Sequence, residues 1–150
     1  MAVKPQPEGY HTVTPYLTVR GAAAAIDFYK AAFGATEVMR LPMPDGTLAH
    51  AEVQVGDSKV MLADENPEWG NKSPAALGGA SGGVMVYLPD VDAAFARAVA
   101  AGATVKMPVV DMFYGDRTGS VVDPFGHVWT LATHVEDVPP AEMGKRMEAW

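Results

Sequence analysis

Cysteine is absent from this sequence. That absence excludes disulfide staples, thiolate-bound zinc and a cysteine nucleophile, and it agrees with a reducing compartment. No apolar run approaches the roughly 20 residues that span a bilayer as a helix. The opening MAVKPQPEGY is polar and proline-bearing, without the apolar core of a secretory signal. Lys and Arg are few, 11 against 18 Asp and Glu, giving a net charge of −7, and they are nowhere clustered. A surface of that sign repels a phosphate backbone, so neither nucleic acid nor membrane is an expected partner. The expectation is a soluble, acidic, cytoplasmic domain. A chain of 150 residues buries about 70% of its unfolded surface, enough to fold without staples.

What the chain does have is an alternation of short period-2 segments with two helical ones. Residues 1–10 read as a flexible leader. A strand over 11–19 (HTVTPYLTV) puts Val13, Leu17 and Val19 on one face and Thr12, Thr14, Tyr16 and Thr18 on the other. Pro15 removes a ladder donor there, which marks an edge or a bulge. AAAAIDFYKAAF predicts a helix over 22–33, with Ala22, Ile26, Tyr29 and Phe33 as its apolar stripe and Gly34 as its stop. Strands are expected over 35–41, 47–55 and 58–63, separated by the turn signals PMPDG and GD.

After a stretch rich in Gly, Pro, Ser and Asn the order recurs. A strand over 83–88 leads to Asp90 as N-cap of a helix over 91–101, striped by Val91, Phe95 and Ala98 and stopped by Gly102. Strands follow over 104–109, 117–122 and 127–133. AAFGATEV matches VAAGATVK, and DSKVMLAD matches GHVWTLAT, so Leu62-Ala63 lines up with Leu131-Ala132. The expected fold is α+β: two βαβββ modules. Module one covers 11–64, a linker 65–82 and module two 83–136, together a single domain. Prolines open a C-terminal helix in the tail 137–150.

The blocks TPYLTVRGAAAAIDFYKAAFGA, DGTLAHAEVQVGDSKVMLAD, DVDAAFARAVAAGATVKMPV and FYGDRTGSVVDPFGHVWTLATH resemble the PhnB-like branch of the vicinal oxygen chelate (glyoxalase/bleomycin resistance/dioxygenase) superfamily. The resemblance covers roughly residues 11–136. It implies eight strands in two βαβββ modules, a curved sheet around a central cleft, and a homodimer. In metal-dependent members of that superfamily, four side chains, typically His or Glu, ligate one divalent cation. Carried over by position, those slots fall on Thr14, Met61, Gly83 and Thr130, none of them a usual ligand for such a metal, and a slip of one residue supplies none either. No metal and no other cofactor is therefore expected. Glyoxalase I and extradiol dioxygenase chemistry, which lean on the metal as Lewis acid or oxygen activator, are not expected.

Strand parity sorts the remaining candidates. In AHAEVQV, His50, Glu52 and Gln54 share the face opposite Ala51, Val53 and Val55. His50 and Glu52, at i and i+2 and roughly 7 Å apart along the strand, form a candidate general-base pair, the carboxylate orienting the imidazole and raising its basicity. They also suit a hydrogen-bonded polar pair on a half-exposed sheet, the blander reading, or two ligands of a metal site completed by a third elsewhere. The candidate ligand-binding set is Thr14, Tyr16, Gln54, Met61, Met85, Tyr87, Phe113, Tyr114, Arg117 and Thr130. Arg117 could grip an anionic ligand group or pin its loop to Asp116 or Asp123. Phe113 and Tyr114 suit a ligand cover or a contact surface. Met61, Met85, Met107 and Met112 suit a soft apolar pocket or core filling.

Trp129 reads as packing, His127 as a turn residue, and His11 and His134 as solvated. Trp69 lies in the linker, where it could close a cleft or meet another subunit. GGASGG lacks the Lys-Ser/Thr of a phosphate loop, and no nucleophile elbow occurs. Three readings remain open: a metal-free small-molecule binder, which the residues favour; a metal-independent lyase or isomerase using His50 and Glu52; and a metalloenzyme with a rearranged site.

Overall fold

In the computed structural model, which describes residues 2–150, the stripe of the first helix is buried, and of the second stripe Val91 and Ala98 are buried and Phe95 is half-buried. The first helix, α1, spans Ala22–Phe33, and Ala22, Ile26 and Tyr29 are wholly inaccessible. It stops at Gly34, whose φ of 66° is the left-handed conformation that lets its own N–H reach the Lys30 carbonyl and the Ala35 N–H reach the Tyr29 carbonyl.

The chain divides into two compact units, one reaching Gly79 and one running from Ala80 to Trp150. The first holds β1 (Tyr16–Val19), α1, β2 (Thr36–Pro42), β3 (Leu48–Val55) and β4 (Ser58–Asp64). Its sheet has the order β1-β4-β3-β2, with β1 parallel to β4 and the other pairs antiparallel. The second holds β5 (Gly83–Tyr87), a helix (Val91–Ala101), β6 (Thr104–Asp111), β7 (Asp116–Val122) and β8 (Val128–His134), in the matching order β5-β8-β7-β6. Each unit is thus the strand, helix and three-strand module that the internal repeat predicts. Among the described residues no helix is long and apolar enough to cross a membrane.

The connection between these modules carries a short helix, α2 (Pro74–Leu77), so the second module's helix is α3 and the C-terminal one is α4 (Pro140–Glu148). The linker is therefore more ordered than its composition suggests. A 3-10 turn, Pro67–Trp69, precedes α2, and the buried Ser73 caps α2 while its hydroxyl donates to Glu65 at 2.5 Å. Hydrogen bonds from Ser73 and the neighbouring Arg20 guanidinium pull the Glu65 carboxyl down to about 2.

Two expectations need correction. The first strand begins only at Tyr16, and Val13 is 82% exposed rather than part of the apolar face. Pro15 lacks the N–H a longer strand would need, although its carbonyl still accepts from the Met61 N–H at 2.9 Å. The leader is also tied down: the Lys59 ammonium donates to the Gly9 carbonyl at 3.2 Å and lies 5.1 Å from the centre of the Tyr10 ring.

The repeat extends to how each helix is anchored. Asp64, the last residue of β4, accepts from the N–H groups of Gly21 and Ala22 at 2.8 and 2.9 Å, and from Leu48 N–H at 2.7 Å. Its counterpart in the repeat, Thr133, accepts from Val91 N–H at 2.9 Å and donates to the Leu88 carbonyl at 2.7 Å. Both devices satisfy donors that a helix start leaves without partners. Because Asp64 serves three donors, Asp64→Ala is expected to cost about 2–3 kcal/mol, roughly twice the cost of Thr133→Ala. Thermal melts report this directly. A drop of about 4–10 °C is expected for Asp64→Ala, and an unchanged Tm removes the anchoring role.

Candidate functional site

On the first sheet the face opposite Ala51, Val53 and Val55 presents Tyr16, His50, Glu52 and Met61, and register places Met61 beside both Tyr16 and Glu52. His50 and Glu52 come together as expected: the imidazole Nε2 lies 2.7 Å from Glu52 Oε2. Two tyrosines that parity alone does not connect complete a chain. Tyr10 donates to Glu52 Oε1, and the Tyr16 hydroxyl lies 2.6 Å from His50 Nδ1. Glu52 accepts only, so His50 carries its proton on Nε2 and accepts at Nδ1 from the Tyr16 O–H.

The outermost group of this chain is therefore Tyr16, 54% exposed, while Glu52 is 6% exposed. Burial would raise the Glu52 carboxyl, but hydrogen bonds from Tyr10 and His50 and the nearby Lys59 ammonium outweigh it and hold the group below its ordinary value. Tyr16 is raised by burial and by the Glu52 charge, and Tyr10 is raised by its hydrogen bond to Glu52. Both phenols stay protonated near neutral pH. Gln54, on the same face, accepts from Lys59 and donates to the Gly56 carbonyl at 3.0 Å. Thr14 lies before β1, its hydroxyl 3.4 Å from the His11 carbonyl.

The second unit holds a cluster that pattern reading missed. Asp116 is 4% exposed and accepts from Tyr87 O–H at 2.8 Å and from His134 Nδ1–H at 2.7 Å. The other imidazole nitrogen of His134 reaches Asp137 at 2.7 Å. His134 is thus not simply solvated: register puts it opposite Asp116 on β7. Its pKa is raised by the hydrogen bonds to Asp116 and Asp137 and by their charges.

The cluster forms one wall of a cavity of about 600 Å³ whose other walls include Phe113, Tyr114, Met143 and Met147. Tyr87, Phe113 and Tyr114, three of the expected ligand contacts, meet here. Gly115 shapes the loop that carries the aromatics, with φ at 101° and a Cβ that would lie 2.1 Å from the Glu136 carbonyl oxygen. Met85 and Thr130 line a smaller cavity of about 330 Å³ beside Lys106 and the glycines of 82–83, and Thr130 is 2.9 Å from the Ser120 hydroxyl.

Arg117 points elsewhere. One residue out of phase with Asp116, it binds Asp92 through two bonds of 2.8 and 2.9 Å and Asp111 at 3.1 Å, pinning α3 to β6. These partners replace the expected Asp116 and Asp123. Asp123 instead accepts the Trp129 indole N–H at 2.9 Å and the His127 backbone N–H at 2.9 Å, and Trp129 is wholly buried.

The donors do not fit the family's metal. Thr14 and Thr130 offer neutral hydroxyls engaged with their own neighbours, Met61 a thioether, and Gly83 nothing. A Cβ at Gly83 would lie 2.9 Å from the Val128 carbonyl oxygen. Among the described residues no group of three or more His, Asp or Glu is arranged to hold a metal ion. His50 and Glu52 spend their facing atoms on each other, and so do His134 and its two aspartates.

A model of the Glyoxalase/Bleomycin resistance protein/Dioxygenase superfamily matches residues 10–131. An uncharacterized protein of Mycobacterium bovis is 43% identical over 152 residues, covering 99% of this chain and 97% of its own. Among solved structures, TioX from Micromonospora sp. ML1 is 29% identical with a TM-score of 0.66, covering 83% of this chain and 99% of its own. The PhnB protein of Bacillus cereus shares the fold at 20% identity and a TM-score of 0.63, over 82% of this chain and 99% of its own.

His134 offers a check on the second cluster. In the folded protein it should titrate above the ordinary value of about 6.5, and Asp137→Asn should lower that midpoint, both read from imidazole NMR shifts. A raised folded pKa means that the stabilisation is complete below the unfolded value and is lost as pH rises through the folded one. The second unit should thus lose stability above about pH 6.5 in a way that His134→Gln abolishes. A His134 midpoint at or below the ordinary value counts against the cluster.

Proposed function

The chain belongs to the glyoxalase/bleomycin resistance protein/dioxygenase superfamily, and on that premise we propose that it is a small-molecule-binding protein that does without the superfamily's usual metal ligands. The observation that carries this reading is the cavity of about 600 Å³ beside Tyr87, Phe113 and Tyr114. Its size falls in the range of small-molecule sites, roughly 300–1,000 Å³, and its make-up is the expected one: mostly apolar and aromatic walls with few polar groups. Methionine thioethers adapt to different shapes, and rigid aromatic rings give contact area at little entropic cost. The exposed apolar residues Leu41 and Met43, on and next to the edge strand β2, and Val105 and Met107 on the edge strand β6 support the homodimer also expected here.

A thermal-shift screen of a small-molecule library tests the binding reading. A ligand at about 100 times its Kd stabilises the folded state by roughly 2.7 kcal/mol, so at least one compound should raise Tm by several degrees. Phe113→Ala should abolish that rise. Shifts that survive Phe113→Ala place the ligand elsewhere, and a screen without any shift removes the reading.

A second reading, a metal-independent lyase or isomerase, is favoured by the Tyr10–Glu52–His50–Tyr16 chain. Tyr16 would pass its proton to His50 Nδ1 while its oxygen takes one from a carbon next to a substrate carbonyl. Glu52 would stabilise the imidazolium that results. If this holds, His50→Ala and Tyr16→Phe each lose turnover, by about 100-fold or more, while ligand binding persists. Intact turnover in His50→Ala ends it.

A further inference from the structure

The cavity of the second unit is more specific than an apolar hollow, and its charges indicate what it holds. His134 sits between two carboxylates, Asp116 on Nδ1 and Asp137 on Nε2. A carboxylate only accepts, so both ring nitrogens must donate, and a ring with two N–H groups is an imidazolium. Two carboxylates and one imidazolium sum to −1, so the cluster keeps one uncompensated negative charge. No lysine or arginine lines the cavity among the described residues. On α4, Arg146 is committed to Glu136 at 2.8 and 2.9 Å, to Glu142 at 3.2 Å and to the Phe113 carbonyl.

The buried carboxylate is not saturated either. Asp116 takes one bond on each oxygen, from Tyr87 and His134, and a carboxylate offers about four lone-pair sites. Above it stand aromatic rings: Phe113 and Tyr114 meet edge to face at 5.3 Å, and Trp150 lies 5.6 Å from Phe113. Aromatic faces attract cations and stack on planar groups. An anion here would meet the net negative charge of the cluster, whereas a flat cation gains from both floor and walls.

The remaining wall is α4, which supplies Pro140, Met143, Gly144 and Met147. That helix lies beyond residue 131, where the family match ends. It has no buried residue of its own and is held chiefly by the Arg146 contacts and Trp150. The cavity is thus a site that this chain's C-terminal segment builds onto the common module.

We propose that this cavity binds a planar organic cation, an aromatic ring system bearing a positively charged nitrogen, with Asp116 as its charge partner and α4 as its roof. The proposal rests on the small-molecule-binding reading and adds the chemical class of the ligand.

Fluorescence titration with two dyes of opposite charge tests it: thioflavin T, a planar cation, and 1-anilinonaphthalene-8-sulfonate, an anion. The wild-type chain should bind thioflavin T at least about tenfold more tightly, and Asp116→Asn should remove most of that preference. Should Asp116→Asn fail to fold, Asp137→Asn, at a fully exposed side chain, should still weaken thioflavin T about threefold without weakening the anion. Phe113→Ala should weaken both dyes.

Equal or tighter binding of the anion by the wild type, or thioflavin T affinity unmoved by both Asp variants, overturns the cation assignment. In that case anion binding that Phe113→Ala abolishes leaves the binding reading standing. No binding of thioflavin T at all also overturns the assignment, and a library screen without shifts then removes the binding reading with it.

Discussion

A carboxylate moved out of water must be met by donors, because leaving it bare costs far more than folding can supply. Each unit places one such group on its sheet, Glu52 on β3 and Asp116 on β7, both less than a tenth exposed. Each is met by one tyrosine hydroxyl and one imidazole. The rest of both sites follows from that need. Tyr10 is drawn out of the leader, the tautomer of His50 is set, Tyr16 becomes the outer end of its chain, and His134 is held as a cation. Tyr10 closes a turn through its N–H on the Pro7 carbonyl, and the other side chains sit on strands. They are placed by what the carboxylate demands.

The modules that carry these groups are alike in architecture and unlike in chemistry. Asp64 and Thr133 hold the helix starts from equivalent positions, one with a carboxylate and one with a hydroxyl. Met61 and Thr130 are also equivalent in the repeat, each paired with the first strand of its unit, to Tyr16 and Met85. On the second sheet Thr130 faces Ser120, where the first has Met61 beside Glu52. The acid–imidazole–phenol chain therefore belongs to the first unit, and the cavity with its mixed charge cluster to the second.

Membership of the superfamily settles the fold and leaves the chemistry to the side chains, since one framework can host many activities. The donors at the family's metal positions do not suit a divalent cation, and a side chain at Gly83 would crowd the Val128 carbonyl. An aromatic cavity in one unit and a hydrogen-bonded phenol–imidazole–carboxylate chain in the other are what remain. They need not serve the same step, and they are separately addressable by substitution.

Much of the framework was legible in the sequence because local rules govern it. Apolar spacing located α1 and α3 to the residue, the glycines at 34 and 102 marked their ends, and repeated blocks announced the matching sheets. Parity put His50, Glu52 and Gln54 on one face, and the cavity contacts Tyr87, Phe113 and Tyr114 were named from their place in strand and loop. The shortness of β1, the order in the linker and the capture of Tyr10 were not legible in the same way. The capture of the leader depends on partners 42 and 50 residues away in the chain, and the order of the linker on the Glu65–Ser73 pair. The same holds for Asp116, His134 and Asp137, whose meeting needs the register of β7 against β8, and for the Arg117 clamp on Asp92 and Asp111. Periodicity tells which way a side chain points, and this sequence determined its modules by that means alone. Which distant group a side chain meets is decided by strand register and chain return, so only the tertiary structure fixed the two carboxylate centres and the helix that roofs one of them.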